Sequence, residues 1–213
     1  MTASVVALEG ASGRVQAGAA AAGPHLIGVL ALQGDFAAHE RVLERLGAHT
    51  RRVKTPPDLD GIDGLVIPGG ESTTMTLGLA REGLAEPIRA RVRAGMPVLG
   101  TCAGLILLDR DHLGLMDVTA ERNAFGRQVH SFEEDLEIAG IAGGPVRAVF
   151  IRAPWIADAA PGVEVLASVD GHPVAVRQGP CTAIAFHPEL GDEDRIHAQW
   201  LSVVSQAAMR SSA

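Results

Sequence analysis

Short apolar runs that stop at glycine or proline and lead straight into helical periodicity dominate the first half of the chain. Leu26–Gln33 (LIGVLALQ), Gly64–Pro68 (GLVIP) and Pro97–Thr101 (PVLGT) lack polar alternation. A strand covered on both faces has no side for polar residues, so these runs predict buried parallel strands. His49–Val53 (HTRRV) is a more polar candidate strand. Between them, FAAHERVLERLG sets Phe36, Val42, Leu43 and Leu46 at near-helical spacing, and Gly47 offers a stop. Residues 73–94 read as one or two helices with a break at Gly83, and AGLILL opens another helix after Thr101. PPDLDG reads as a loop from its Pro, Asp and Gly content. This β-α-β rhythm predicts an α/β protein: a parallel sheet with helices on both faces.

The second half changes texture. VRAVFIRAP, VEVLASV, HPVAVRQ and CTAIAFHP are strand-like and closely spaced, with turns at Ala160-Pro161-Gly162 and Asp170-Gly171. Mixed or antiparallel pairing is expected there. EDRIHAQWLSVVSQAAM reads as a closing helix with Ile196, Trp200 and Val203/Val204 on one face. Residues 1–24 are small, Ala/Gly-rich and aperiodic, and lack the basic start and apolar middle of a secretory signal. They are expected to form a disordered tail, because they offer too little apolar surface to offset ordering entropy. Residues 25–213 are then a single domain.

Charge narrows the function classes. Eighteen Lys and Arg against 25 Asp and Glu give a net charge of −7, and aromatics are 3% of 213 residues. Nucleic-acid and anionic-membrane surfaces need clustered positive charge, and single-strand binding needs stacking rings, so neither partner is expected. No apolar run approaches the roughly 18 residues of a membrane span. Two cysteines, Cys102 and Cys181, cannot build a disulfide framework, which points to a reducing, cytoplasmic setting. The histidines outside the HPE segment, among them His39 and His197, show no metal-ligand spacing, and no metal or cofactor is expected.

Three segments could carry chemistry. Gly100-Thr101-Cys102-Ala103-Gly104 follows an apolar strand and precedes an apolar helix, the nucleophile-elbow pattern with Cys in place of Ser. A sharp strand-to-helix turn strains its central residue and crowds its neighbours, so neighbours without Cβ fit. The helix N-terminus favours a thiolate. A buried structural cysteine is the other reading of a lone Cys, and the flanking glycines favour the elbow. Phe186-His187-Pro188-Glu189 offers a base and its orienter, with Glu189 two residues on and on the same side of an extended segment. Pro68-Gly69-Gly70-Glu71-Ser72 also follows a strand; its glycines can turn an N–H toward a developing oxyanion, with the Ala103 N–H as second donor. It also reads as an ordinary loop with Ser72 capping the next helix. All three sit where open α/β sheets gather functional loops. Together they point to a cysteine hydrolase or acyl transferase working through a thioester.

These segments, with GVLALQGDFAAHE, PGGESTT, GTCAGLILL, ERNAFGRQVHSFE, VFIRAP and FHPEL in that order, resemble a known family from roughly Leu26 to Ser205. It is the family of glutaminase subunits of two-protein pyridoxal 5′-phosphate synthases, class I (triad) glutamine amidotransferases. GTCAG and HPE are shared by many amidotransferases; PGGESTT, RNAFGRQ and FIRAP are more specific. The resemblance implies a three-layer α/β/α sandwich around a largely parallel, partly mixed sheet. It implies a Cys102, His187, Glu189 triad, an oxyanion hole at Gly69, Gly70 and Ala103, and glutamine contacts at Gly70, Glu71, Ser72, Arg122, Ile151 and Arg152. It further implies L-glutamine as substrate and a (β/α)8-barrel synthase partner, in a hetero-oligomeric complex, that takes the ammonia for vitamin B6 biosynthesis. A stand-alone cysteine hydrolase and a non-enzymatic subunit with a vestigial triad are the competing readings.

Overall fold

The computed structural model describes residues 24–125, 131–191 and 193–211. Apart from Pro24, the segment expected to be a tail lies outside these residues, as does the Gly126–His130 part of the ERNAFGRQVHSFE motif.

The strands are β1 (Leu26–Leu30), β2 (His49–Val53), β3 (Gly64–Ile67), β4 (Val98–Thr101), β5 (Val118–Glu121), β6 (Ser131–Leu136), β7 (Val146–Ile151), β8 (Trp155–Ala159), β9 (Glu164–Val169), β10 (His172–Gln178) and β11 (Cys181–Ile184). The helices are α1 (Phe36–Arg45), α2 (Ser72–Arg81), α3 (Ala85–Arg93), α4 (Ala103–Leu108) and α5 (Arg195–Ser211). Among the described residues the main sheet has seven strands in the order β2-β1-β3-β4-β11-β10-β9. β1 pairs parallel with β2 and β3, β4 with β3 and β11. β10 runs antiparallel to both β11 and β9, so the expected mixed pairing sits at one edge. Asp170 and Gly171, both at positive φ, close the β9–β10 hairpin in two residues.

Alternate residues of the buried strands point to opposite faces. Ile27, Val29, Val66 and Leu99 join Leu43 of α1 and Trp200 and Val204 of α5 in one cluster. Leu65, Ile67 and Val98 join Met75 and Leu79 of α2, Ile88 and Val92 of α3, and Leu105 of α4 in the other. The result is a three-layer α/β/α sandwich. Each fully buried Leu, Val or Ile contributes roughly 1.5–3 kcal/mol of burial free energy, which explains why runs without polar alternation fall here.

Several expectations are corrected. The first strand ends at Leu30, and Ala31–Gln33 already belong to the loop. PPDLDG carries a short 3-10 turn, Pro56–Leu59, in which the Asp58 carboxylate accepts from the Thr55 N–H and hydroxyl. VRAVFIRAP forms β7, which pairs antiparallel as expected of this half of the chain, with β6 in a ribbon separate from the main sheet. β5 and β8 form another ribbon. Patterning missed β5, β6 and β8 because they are short and solvated on one side; Ser131–Leu136 alternates exposed and half-buried residues until its last.

The turn from β4 into α4 leaves no room for side chains. A Cβ on Gly104 would lie 2.1 Å from the Ile67 carbonyl oxygen, and one on Gly100 would lie 2.7 Å from the Gly104 carbonyl oxygen. Both obstacles are backbone and cannot rotate away. Gly104→Ala should therefore destabilise the protein at or above the usual ~1–3 kcal/mol of overpacking, read as a lower urea midpoint. An unchanged midpoint would mean that α4 can move off β3 without cost.

Candidate active site

The loops after β1, β3, β4, β7 and β11 meet at the carboxyl edge of the sheet around a cleft of about 400 Å³. Gly69, Gly70, Glu71, Ser72, Cys102, Ala103, Arg122, Ile151, Arg152 and His187 all line it. Glu189 lies behind the cleft with its side chain fully buried.

Cys102 sits at φ 49°, ψ −106°, in the left-handed region that L side chains rarely adopt. Its N–H donates to the Ile184 carbonyl at 2.8 Å, which ties the elbow to the end of β11. α4 begins at the next residue, so the thiol stands at a helix N-terminus. The thiol lies 3.9 Å from the Ile151 carbonyl oxygen and within hydrogen-bonding reach of the His187 ring. Three of the four non-glycine residues at positive φ among the described residues, Cys102, Asn123 and Arg152, line this cleft. Such strain gathers at functional sites.

The His187 N–H donates to the Val149 carbonyl at 2.9 Å, fixing the loop after β11 beside β7. Its Nδ1 lies 2.7 Å from Glu189 Oε1. The segment is a turn, not the extended stretch expected: the Leu190 N–H reaches back to the His187 carbonyl at 3.3 Å. The turn brings Glu189 to the ring as alternation would have done. Burial opposes a charge on His187, but hydrogen bonds and charge from Cys102 and Glu189 outweigh it and push the ring up to about 10. Burial likewise disfavours the Glu189 carboxylate, yet His39 and His187 hold it below its ordinary range. The arrangement favours a protonated His187 between the thiol and an ionised Glu189. Cys181 is the contrast: wholly buried, with its thiol pushed up to about 12 by burial alone, it is inert.

Gly69 has to be glycine here, because a Cβ would lie 2.5 Å from His187 Cε1. The neighbouring loop is pinned from β1. Gln33 Oε1 accepts the Glu71 N–H at 2.6 Å, and Gly34, at φ 96°, lies so close that a Cβ would sit 1.9 Å from the Gly69 carbonyl oxygen. Gln33 and Gly34 belong to the GVLALQGDFAAHE segment but were not among the expected site residues.

The cap of α2 is Glu71, not Ser72. Its carboxylate accepts from Thr74 Oγ1 and the N–H groups of Thr74 and Thr73, which lowers its pKa to about 2. Ser72 is buried, and Arg122 donates to its hydroxyl and to Thr73 Oγ1 at 3.1 Å, with Glu71 at 3.5 Å. Arg122, Arg152 and Glu71 thus put both charge signs on one small cleft. Among the described residues no group of three or more His, Cys, Asp or Glu is arranged to hold a metal ion.

Fold and cleft together define an elbow-cysteine α/β protein of the class I glutamine amidotransferase type. The chain belongs to the SNO glutamine amidotransferase family, whose model matches residues 29–206. It is 51% identical over 191 residues to the pyridoxal 5′-phosphate synthase subunit PdxT of Mycolicibacterium vanbaalenii, covering 84% of this chain and 97% of that one. With the protein of the same name from Geobacillus kaustophilus it shares 52% over 193 residues, covering 87% and 98%. A crystal structure of a glutamine amidotransferase superposes with TM-score 0.80 at 45% identity, covering 84% of this chain and 98% of that one. A chain of the PurLQS structure from Thermotoga maritima shares the fold, with TM-score 0.66 at 19% identity over 89% of this chain and 99% of that one.

Protonated His187 contributes stability that is complete below about pH 6.5 and lost as pH rises through about 10. Cys102→Ala removes a contribution that raises this value, so the His187 midpoint, followed by histidine NMR, should fall from about 10 toward 6.5. A midpoint that stays put would show that thiol and ring do not interact.

Proposed function

We propose that this chain is the glutaminase subunit of a pyridoxal 5′-phosphate synthase, hydrolysing L-glutamine to glutamate and ammonia at Cys102, His187 and Glu189. The observation that carries the site assignment is the strained elbow thiol within reach of an imidazole whose far nitrogen is 2.7 Å from a buried carboxylate, all opening on one cleft. The family membership and the relatives' names support the glutaminase reading.

In this mechanism Cys102 Sγ attacks the side-chain amide carbon of glutamine. The carbonyl oxygen gathers negative charge that N–H groups of Gly69, Gly70 and Ala103 receive. Protonated His187 gives its proton to the amide nitrogen, the C–N bond breaks, and ammonia leaves a γ-glutamyl thioester. Neutral His187 then takes a proton from water, hydroxide adds to the thioester carbon, and the C–S bond breaks to give glutamate and the thiolate. Glu189 keeps the imidazole oriented and balances its charge. Free glutamine has an α-carboxylate and an α-ammonium group; Arg122 and Arg152 suit the first, Glu71 the second, with Gly70, Ser72 and Ile151 completing the contacts.

The same reading assigns residues 25–213 to one amidotransferase domain. It gives the chain a (β/α)8-barrel synthase partner in a hetero-oligomeric complex, which takes up the ammonia, and a cytoplasmic setting. No helix among the described residues is long and apolar enough to cross a membrane. Docking of the partner would act on the loop at Gly69-Gly70, whose neighbour Glu71 is held by Gln33.

The deciding assay is ammonia release from glutamine with and without the synthase partner. Cys102→Ala should lower the rate by at least roughly 10⁴-fold, as loss of a nucleophile does in comparable triads, while partner binding persists. Cys181→Ala should keep its rate. Full activity without partner would favour a stand-alone hydrolase, and activity retained by Cys102→Ala would end the assignment. Arg122→Ala should raise KM roughly 10-fold or more with a smaller change in kcat, the signature of a lost charged contact to bound substrate. An unchanged KM would take Arg122 out of the binding site.

A further inference from the structure

Behind the triad lies a polar cluster that the mechanism above does not use. His39 of α1 and His197 of α5 are both fully buried, although they stand 158 residues apart. His39 Nδ1 lies 2.9 Å from His197 Nε2. On its other side, His39 Nε2 lies 3.2 Å from Thr101 Oγ1 and 3.4 Å from Glu189 Oε2. That carboxylate oxygen is buried with no aligned hydrogen bond, and His39 is the donor that faces it. Thr101 is the residue just before Cys102, so the cluster touches the elbow and the triad carboxylate together.

We infer that His39 is a positioning residue for Glu189, and that His197 sets its tautomer, so that a buried chain Cys102–His187–Glu189–His39–His197 aims the triad carboxylate at His187. The inference deepens the proposed glutaminase site and rests on that reading for its effect on rate.

The direction of the protons follows from matching donors to acceptors. An ionised carboxylate only accepts and the Thr101 hydroxyl can accept, so a proton on the nitrogen that faces both suits the site best: His39 is assigned Nε2–H. Both histidines are held neutral by burial, His197 down to about 3. Neutral His39 then has a bare Nδ1, and His197 must donate its Nε2–H to it. That leaves His197 Nδ1 bare, and this nitrogen is indeed buried without a partner. An orphan acceptor is the cheaper loss, since orphan buried N–H groups are the rarer defect. The reverse tautomer would turn a lone pair on Glu189 Oε2 and strand an N–H on His197. The charged and titratable groups acting on His39 are Glu189 and His187 from the loop after β11, Asp35 at the start of α1, and His197 from α5. The Glu189 carboxylate thus has two holds, His187 on Oε1 and His39 on Oε2. With one gone, it can swing about the other, and the imidazole loses its fixed direction.

The test uses the full chain with its synthase partner. His39→Leu keeps the volume but removes the donor, while His39→Gln can place an amide N–H near the position of Nε2. His39→Leu should lower kcat roughly 10- to 100-fold, the usual cost of losing an outer orienting partner, with KM within about twofold. His39→Gln should recover most of that rate. Equal losses in the two variants would mean that a donor at this position does not restore the rate, and wild-type kcat in His39→Leu would mean that Glu189 needs no second hold. Either result overturns the inference. Nitrogen NMR of the ¹⁵N-histidine-labelled wild-type chain supplies a readout independent of activity. His39 and His197 should both appear as neutral Nε2–H tautomers at neutral pH, and Nδ1–H on His39 would refute the chain. If Cys102→Ala retained glutaminase activity, the site reading would fail while these tautomers still judged the proton chain.

Discussion

The approach of α4 to the sheet is the constraint on which the rest of the site depends. Gly104 meets the Ile67 carbonyl and Gly100 meets Gly104 at distances that exclude any Cβ, so helix and strands touch backbone to backbone. That closeness forces the chain through the left-handed conformation at Cys102 and presents its thiol at a helix N-terminus. A non-glycine residue held there costs roughly 1–3 kcal/mol, tolerable only where the surroundings leave no alternative. Here the elbow is held from three sides: the Ile184 carbonyl takes the Cys102 N–H, Ile67 abuts Gly104, and Leu105 is locked in the core.

A second constraint is electrostatic. Glu189 is an ionised carboxylate without solvent, which burial alone would make very unfavourable. It survives because one oxygen meets His187 at 2.7 Å and the other faces His39 at 3.4 Å. The same carboxylate raises His187, so a proton is kept on the ring where a leaving amine will need it. Base and orienter therefore form one coupled unit whose charge states are set jointly, with the thiol at the base's other side. Cys181, on the neighbouring strand, has the same functional group with burial alone acting on it, which pushes its thiol up to about 12.

Much of this was legible in residue order. Apolar runs without alternation gave the central strands, because burial on both faces leaves no place for polar residues. GTCAG exposed the elbow, because its glycines answer to two specific steric contacts. What stayed hidden depends on contacts distant in sequence. His39 lies on the buried face of α1, at a position where periodicity expects an apolar side chain, and only the fold brings it to His197 and Glu189. The capping role of Glu71 was obscured because a serine next to it is the more usual cap. β5, β6 and β8 pair in small ribbons outside the main sheet, where one-sided burial leaves only weak alternation to read.

The scarcity of aromatic residues takes on meaning once they are placed. Four of the five phenylalanines, Phe125, Phe132, Phe150 and Phe186, lie in one cluster with Trp155, at centroid distances of 4.5–5.5 Å. Phe150 immediately precedes Ile151 and Arg152, Phe186 immediately precedes His187, and Phe125 anchors the loop that carries Arg122 and Asn123. Each aromatic pair adds roughly 0.5–1.5 kcal/mol beyond its burial. Such pairs are of the size needed to offset the positive φ at Asn123 and Arg152, which face the cleft just beyond them. The base, the backbone carbonyl beside the thiol and the loop of candidate substrate-holding residues are thus set by one rigid aromatic floor. The ribbon β6–β7 stands outside the main sheet for that reason: it brings Phe132 and Phe150 into the floor and carries Ile151 to the thiol.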